Sequence, residues 1–272
     1  MPGTLYLVAT PIGNLEDITF RAVRVLQEAS LIAAEDTRRA RKLLQTYEIA
    51  TPVTSYFEHN KLAKLEKILA ALEQGDVALI SDAGTPGLSD PGYELIAAAI
   101  ARDVPVVPIP GPAAPVAALV ASGLPSDAFV YLGFLPRKRA ARRRLLAGVA
   151  RESRTLICFE APHRLPGTLA DLLDILGDRR LAVARELTKL HEEVWRGTVR
   201  EAGEYFSDAE PRGEFTLVIA GAEQVAWPVD EVAQALSRLA QSGTLAQGVI
   251  REVADVAGWA KRDVYRLWLD ME

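Results

Sequence analysis

Three segments of the chain combine glycine with proline in a way that suits the binding of a small molecule. They are Pro11-Ile12-Gly13-Asn14, the ten residues Ala83-Gly84-Thr85-Pro86-Gly87-Leu88-Ser89-Asp90-Pro91-Gly92, and Pro110-Gly111-Pro112-Ala113-Ala114. Each follows a short apolar run, respectively TLYLVAT, VALISD and VPVVPI. Glycine lets a backbone approach a ligand closely, and proline holds the loop stiff. Loops of this kind at successive strand ends build a crevice rimmed with free N–H and C=O groups. A turn accounts for any one of them, but a turn does not need ten residues with three glycines and two prolines.

A second chemical feature is cationic. Arg137, Lys138, Arg139, Arg142, Arg143 and Arg144 fall within eight residues that contain no acid, in a chain of net charge −5. Such a block is a local electrostatic footprint for a polyanion, although a solvated helix face has the same composition. Other chemistries lack their motifs. There is no G-x-G-x-x-G after the first apolar run, no G-x-x-x-x-G-K-[ST] and no G-x-S-x-G. His59, His163 and His191 lie far apart, and with one cysteine they form no visible zinc ligand set.

The elements that must position these loops follow from periodicity. Strand-like apolar runs alternate with helical patterns, which predicts α/β architecture with a mainly parallel sheet covered on both faces. The first helix starts near Thr19, with Phe20, Val23, Val25 and Leu26 expected on one face, and Asp36 is a plausible cap for the basic helix that follows it. With 272 residues, more than one compact unit is expected. The pattern divides into an N-terminal α/β domain over residues 1–122, a C-terminal α/β domain over 123–222, of mixed strand direction, and a helical tail over 228–272. Two tail helices broken at Gly258, with Lys261, Arg262 and Arg266 on the second, resemble a helix-turn-helix; a plain three-helix cap fits as well. The opening residues have no basic leader, no run suffices to cross a bilayer, and Cys158 has no disulfide partner. A cytoplasmic protein is the expectation.

The runs LYLVATPIGNLEDIT, AAEDTRR, SDAGTPGLSDPG, FEAPHRL, RELTKLHEE and GEFTLVIAG, in this order, resemble the tetrapyrrole methylase superfamily. More narrowly, they resemble its ribosomal RNA branch, the small-subunit cytidine 2′-O-methyltransferases, from about residue 4 to 221. The resemblance implies two α/β domains with S-adenosylmethionine in the cleft between them, a homodimer, no metal, and small-subunit ribosomal RNA or the subunit itself as partner. It places cofactor contacts on Pro11, on Asp82, Ala83, Gly84, Thr85, Pro86 and Leu88, on Gly111, Pro112, Ala113 and Ala114, and near Phe159 and Thr188. One departure is Gly87, where many relatives carry a branched residue; a looser loop is the expected consequence.

A methyl on a sulfonium is already activated, so the implied reaction needs an in-line hydroxyl and a group to take its proton. The candidate bases are Glu35, Asp36, Asp82, His59, and Glu160 with His163, of which Glu35 or Asp36 is preferred. Arg38, Arg164 and Arg185 join the basic block as phosphate clamps, because a guanidinium binds phosphate bidentately. Two rivals are a methylase of a corrin-like ring, which needs no basic block, and a non-catalytic RNA-binding adaptor, which needs no crevice.

Overall fold

The computed structural model describes the chain except residues 1–2, 58–60, 208–211, 224–226, 241–245 and 272. The first sheet is wholly parallel. Its strands are β1 (Leu5–Val8), β2 (Leu31–Ala34), β3 (Val53–Ser55), β4 (Val77–Ile80) and β5 (Val106–Ile109), in the order β3-β2-β4-β1-β5. Side chains alternate between its two faces. Ala78 and Ile80 pack under α1 (Phe20–Glu28) and α2 (Thr37–Thr46), while Val77 and Leu79 pack under α3 (Lys61–Leu72) and α4 (Tyr93–Ile100). Because all five strands run the same way, their carboxyl ends lie at one edge, and the loops after β1, β2, β4 and β5 leave from that edge.

In α1 the buried stripe is Ala22, Val25 and Leu26, and Phe20 is 98% exposed rather than on the packed face. Thr19 caps the helix by accepting from Ala22 N at 3.1 Å. The spacing of three and four residues from Ala22 then selects Val25 and Leu26, leaving Phe20 on the opposite side.

Helix α5 (Ala114–Ser122) follows the third glycine–proline loop and packs on the second sheet, burying Ala118 and Leu119 against Ile157, Ala182, Ala184 and Val218. A division after residue 122 therefore assigns to the first half a helix whose packing belongs to the second. That sheet comprises β6 (Phe129–Phe134), β7 (Thr155–Glu160), β8 (Arg180–Arg185), β9 (Glu193–Thr198) and β10 (Phe215–Ile219), in the order β6-β7-β10-β8-β9. Only β6 and β7 pair in parallel; β10 runs antiparallel to β7 and β8, and β9 antiparallel to β8. Its other face is covered by α6 (Arg139–Gly148), α7 (Leu165–Leu176) and α8 (Val199–Tyr205), through Leu146, Leu169, Leu172 and Phe206. Cys158 is buried in this core, and burial holds its thiol far above the ordinary range.

Both sheets belong to one compact unit, Met1–Ala220, and Gly221–Glu272 form a second. The second comprises α9 (Val229–Ala240), α10 (Ala246–Ala257) and α11 (Lys261–Met271) around Val232, Leu236, Val249, Val253 and Val264. Gly258 turns the chain between α10 and α11 at φ +66°, in the left-handed region that favours glycine. Among the described residues no helix is long and apolar enough to cross a membrane.

Candidate active site

The loop after β1 and the long loop after β4 are stitched together by a two-way bridge, Thr10 N to Gly84 O and Gly84 N to Thr10 O, both 2.9 Å. Thr85 Oγ1 donates to the Pro112 carbonyl at 3.4 Å, which ties in the loop after β5. Gly111 lies so close to β1 that a Cβ there would sit 2.9 Å from Ala9 Cβ. From the second sheet, Tyr131 Oη meets Ser89 Oγ at 2.7 Å, and Thr188 Oγ1 accepts from Asn14 N at 3.1 Å. The three glycine–proline loops are thus one assembly, spanning the edges of both sheets.

Between them lies a cleft of about 420 Å³, within the range of small-molecule sites. Of the residues expected to hold the cofactor, Asp82, Ala83, Gly84, Thr85, Leu88, Ala113, Ala114 and Phe159 line it. Pro11, Pro86, Gly111, Pro112 and Thr188 are not on its wall. Pro86 is buried, Pro112 holds Thr85, Thr188 pins the first loop, and Pro11 borders a smaller neighbouring cavity. Gly87 adopts φ +80°, so here glycine is the low-strain residue and not a source of looseness.

The wall also contains residues outside the expected set of cofactor contacts. Ile12, Pro115 and Phe134 add apolar surface, Arg39 and Asp90 add charge, and Gly213, Glu214, Phe215 and Thr216 come from the start of β10. A search confined to carboxyl ends of strands misses β10. It runs antiparallel to β7, pairing Phe215 with Glu160, so its beginning arrives at the edge where β7 ends. The glycine before the apolar run, Gly213, is the one sequence signal there, and it adopts φ +97°.

The carboxylates differ sharply in environment. Glu35 and Asp82 lock the ends of β2 and β4 reciprocally: Asp82 N donates to Glu35 Oε2 at 3.2 Å, and Asp36 N donates to Asp82 Oδ1 at 3.0 Å. Burial raises the Glu35 carboxyl above its usual range, and the Asp82 charge adds to this against the Asp82 N–H. Asp90 is pushed up to about 6, first by burial and then by the neighbouring charge of Glu35. Asp36 behaves oppositely. It caps α2, its carboxylate is held by Arg38 at 2.8–3.2 Å and drawn down to about 2, and it does not line the cleft. A carboxylate engaged in this way is a poor proton acceptor, so of the preferred pair Glu35 is the one placed for chemistry.

Glu160 lines the cleft, but its oxygens accept from Thr168 Oγ1, Arg164 Nη2 and Ala161 N, so it fixes the entry to α7. His163 is exposed and is not on the cleft wall, and His59 lies outside the described residues. Arg164 also donates to the Leu135 and Pro136 carbonyls, which makes it a strut rather than a phosphate clamp. Arg185 spends its Nε on the Arg212 carbonyl at 2.8 Å. Arg38 is 85% exposed in its pair with Asp36.

The basic block divides in the same way. Asp171 on α7 is fully buried and accepts from Arg139, Arg142 and Arg143, while Arg143 also reaches Asp174. Burial alone would raise the Asp171 carboxyl, but these three guanidinium groups outweigh it and hold it below the usual range. Arg142 is therefore an internal tie and not a phosphate contact. The absence of acids within the block did not reveal the two aspartates facing it from the next helix. Arg137, Lys138 and Arg144 remain exposed.

S-adenosylmethionine, the cofactor implied by the sequence resemblance, suits this wall. Phe134, Phe159, Phe215, Leu88 and Ile12 offer apolar faces to a flat base and an aliphatic chain. Asp82, Glu160 and Glu214 have cationic partners in Arg39, Arg164 and Lys189, whereas Glu35 and Asp90 make no ion pair among the described residues. Carboxylates whose burial outweighs the help they receive from Arg39 and Ser81 favour a cationic ligand. No group of three His, Cys, Asp or Glu among the described residues is arranged to hold a metal.

Residues 4–203 match the family model for tetrapyrrole (corrin/porphyrin) methylases. The chain is 50% identical to a ribosomal RNA small subunit methyltransferase I of Synechocystis sp., over 99% of each chain. It is 48% identical to the protein of the same name from Halalkalibacterium halodurans, over 98% of this chain and 94% of that one. Among solved structures, a cobalt precorrin-4 methyltransferase of cobalamin biosynthesis covers 80% of this chain and 94% of its own at a TM-score of 0.61. At 16% identity that likeness concerns the fold alone.

Proposed function

The chain belongs to the tetrapyrrole methylase family, with the ribosomal RNA small subunit methyltransferases I as its near relatives, and from that membership we propose that it transfers a methyl group from S-adenosylmethionine to small-subunit ribosomal RNA, at the 2′-hydroxyl of a cytidine ribose. The observation that carries the reading is a division of charge. The cleft holds the partly buried carboxylates Glu35 and Asp90, which suit a cationic methyl donor, and the exposed Arg38, Arg41, Lys42, Arg137, Lys138 and Arg144 lie outside it, which suits an anionic polymer.

The bound cofactor supplies a methyl group already activated on sulfur. The protein's part is placement and proton removal. The loops bearing Gly84, Thr85 and Ala113 hold the donor rigidly, because their cross-bridges leave them little freedom. Glu35 and Asp90 form the basic pair. Their raised affinities for protons bring them closer to that of a departing hydroxyl proton, and the charge of Glu35 adds to the rise at Asp90. Proton abstraction by such a pair contributes roughly 10²–10⁴-fold. Arg39, 3.1 Å from Asp82, stands at the cleft wall, where substrate phosphate can compete for it. The active form is a homodimer, a reading supported by the exposed Val116 and Val120 on α5 and testable by sedimentation.

The test is incubation of purified protein with methyl-labelled cofactor and small-subunit RNA, naked and in assembled subunits, followed by nucleoside mass spectrometry. Labelled 2′-O-methylcytidine is the expected product. Label on a base would overturn the ribose assignment, and no label in either RNA would overturn the reading as a whole.

A further inference from the structure

The basic block around α6 is the obvious place to lay an RNA strand, yet Asp171 and Asp174 occupy half of its cations. Helix α2 offers a better-placed alternative. Its ten residues, TRRARKLLQT, carry four cations and no acid. Ala40, Leu43 and Leu44 bury against the first sheet, and Arg38, Arg39, Arg41 and Lys42 are all exposed. At 100° per residue, Arg38, Arg41 and Lys42 share one face, with Arg39 at its flank. Arg41 and Lys42 make no ion pair among the described residues.

The position of the helix matters as much as its charge. α2 begins two residues after Glu35, its cap Asp36 is tied to Asp82, and Arg39 reaches back to the same Asp82 at 3.1 Å. Arg39 and Asp82 line the reactive cleft and also a smaller cavity of about 140 Å³, whose wall includes Lys42, Pro11 and Gly13. The cationic face therefore leads directly to the carboxylate pair. Arg38 and Arg39 are 85% and 70% exposed in their pairs with Asp36 and Asp82. Exposed pairs of this kind hold weakly, so a phosphate can displace them.

We propose that the exposed face of α2, made by Arg38, Arg41 and Lys42 with Arg39 at the cleft edge, carries the phosphodiester backbone of the substrate RNA as its target ribose enters the cleft. This rests on the function proposed above and adds the surface by which the substrate is held. Phosphate contacts position a strand without reading its sequence, so α2 sets the approach of the ribose and leaves choice of nucleotide to the cleft.

The experiment compares full-length wild type with Arg41→Ala/Lys42→Ala and with Arg137→Ala/Lys138→Ala/Arg144→Ala, after circular dichroism has verified folding. RNA binding is titrated against salt, and KM and kcat are measured for methylation. The α2 variant should lower the log–log salt slope by roughly 1.4–1.8, at about 0.7–0.9 per lost contact. It should also raise the RNA KM severalfold with little change in kcat, and leave S-adenosylmethionine binding intact. An unchanged slope and KM in that variant overturns the proposal, as does a slope lost only in the α6 variant. If wild type binds RNA with an α2-dependent slope but methylates nothing, the surface stands and the methylation reading falls.

Discussion

At the residue scale, Asp90 is the most informative group, because two different measurements read its environment. It should give methylation an acidic limb with an apparent pKa near 6, the activity falling as pH drops through that value. Asp90→Asn should lower kcat and displace the limb; a profile unchanged in shape would exclude Asp90 as the titrating group. Stability supplies the opposite sign. The folded carboxyl binds its proton more tightly than its ordinary 3.8, so its contribution to stability is fully present below that value and lost as pH rises through about 6. Asp90→Asn should therefore raise Tm at pH 7.5, with the gain vanishing near pH 4. Glycine gives a second pair of outcomes. Gly84 sits at φ +78° on the cleft wall with no neighbour closer than 3.5 Å to an added Cβ. Gly84→Val should cost about 1–2 kcal/mol of backbone strain and weaken cofactor binding, measured by denaturation and calorimetry. Gly111→Val instead drives a side chain into β1, so folding and binding should fail together.

At the scale of elements, α6 and α7 behave as one ionic joint. Arg142 and Asp171 are both buried, and they meet at 2.6 Å. Arg142→Ala should destabilise by roughly 3 kcal/mol, because a buried carboxylate loses its innermost partner. Replacing the exposed Arg144 should change stability by less than about 0.5 kcal/mol. Urea denaturation of the two variants separates these outcomes, and equal small losses would show that Arg139 and Arg143 suffice for Asp171. β9, by contrast, carries little strand signal in its sequence. Its residues are half-buried at a sheet edge, so EVWRGT has no run of buried positions to announce it.

At the scale of the whole molecule, five carboxylates line the cleft with Arg39, and the other cations of α2 lie on an exposed helical face outside it. The cofactor and its demethylated thioether product differ chiefly by one positive charge at sulfur. Protonating Asp90, whose carboxyl is pushed up to about 6, should therefore weaken binding of the sulfonium between pH 7.5 and 5.5 and leave the thioether little affected. Calorimetry with both ligands at the two pH values measures this. Parallel losses would mean that the carboxylates act on a part shared by the two ligands.

The loops were legible without coordinates, because glycine, proline and apolar runs report local backbone geometry. A parallel sheet then converts that local order into a shared edge. That reading put the loops of Gly84, Thr85, Leu88 and Ala113 on the cleft wall, and the family resemblance added Asp82 and Glu35. What sequence spacing could not supply was the company each charge keeps. Arg142 and Asp171 are twenty-nine positions apart, Asp36 and Asp82 forty-six, and Thr188 lies 174 from Asn14. Whether an arginine is free for phosphate or a carboxylate free for a proton depends on those distant partners and on the water they exclude. Only the packing of helices and the antiparallel return of β10 decided them.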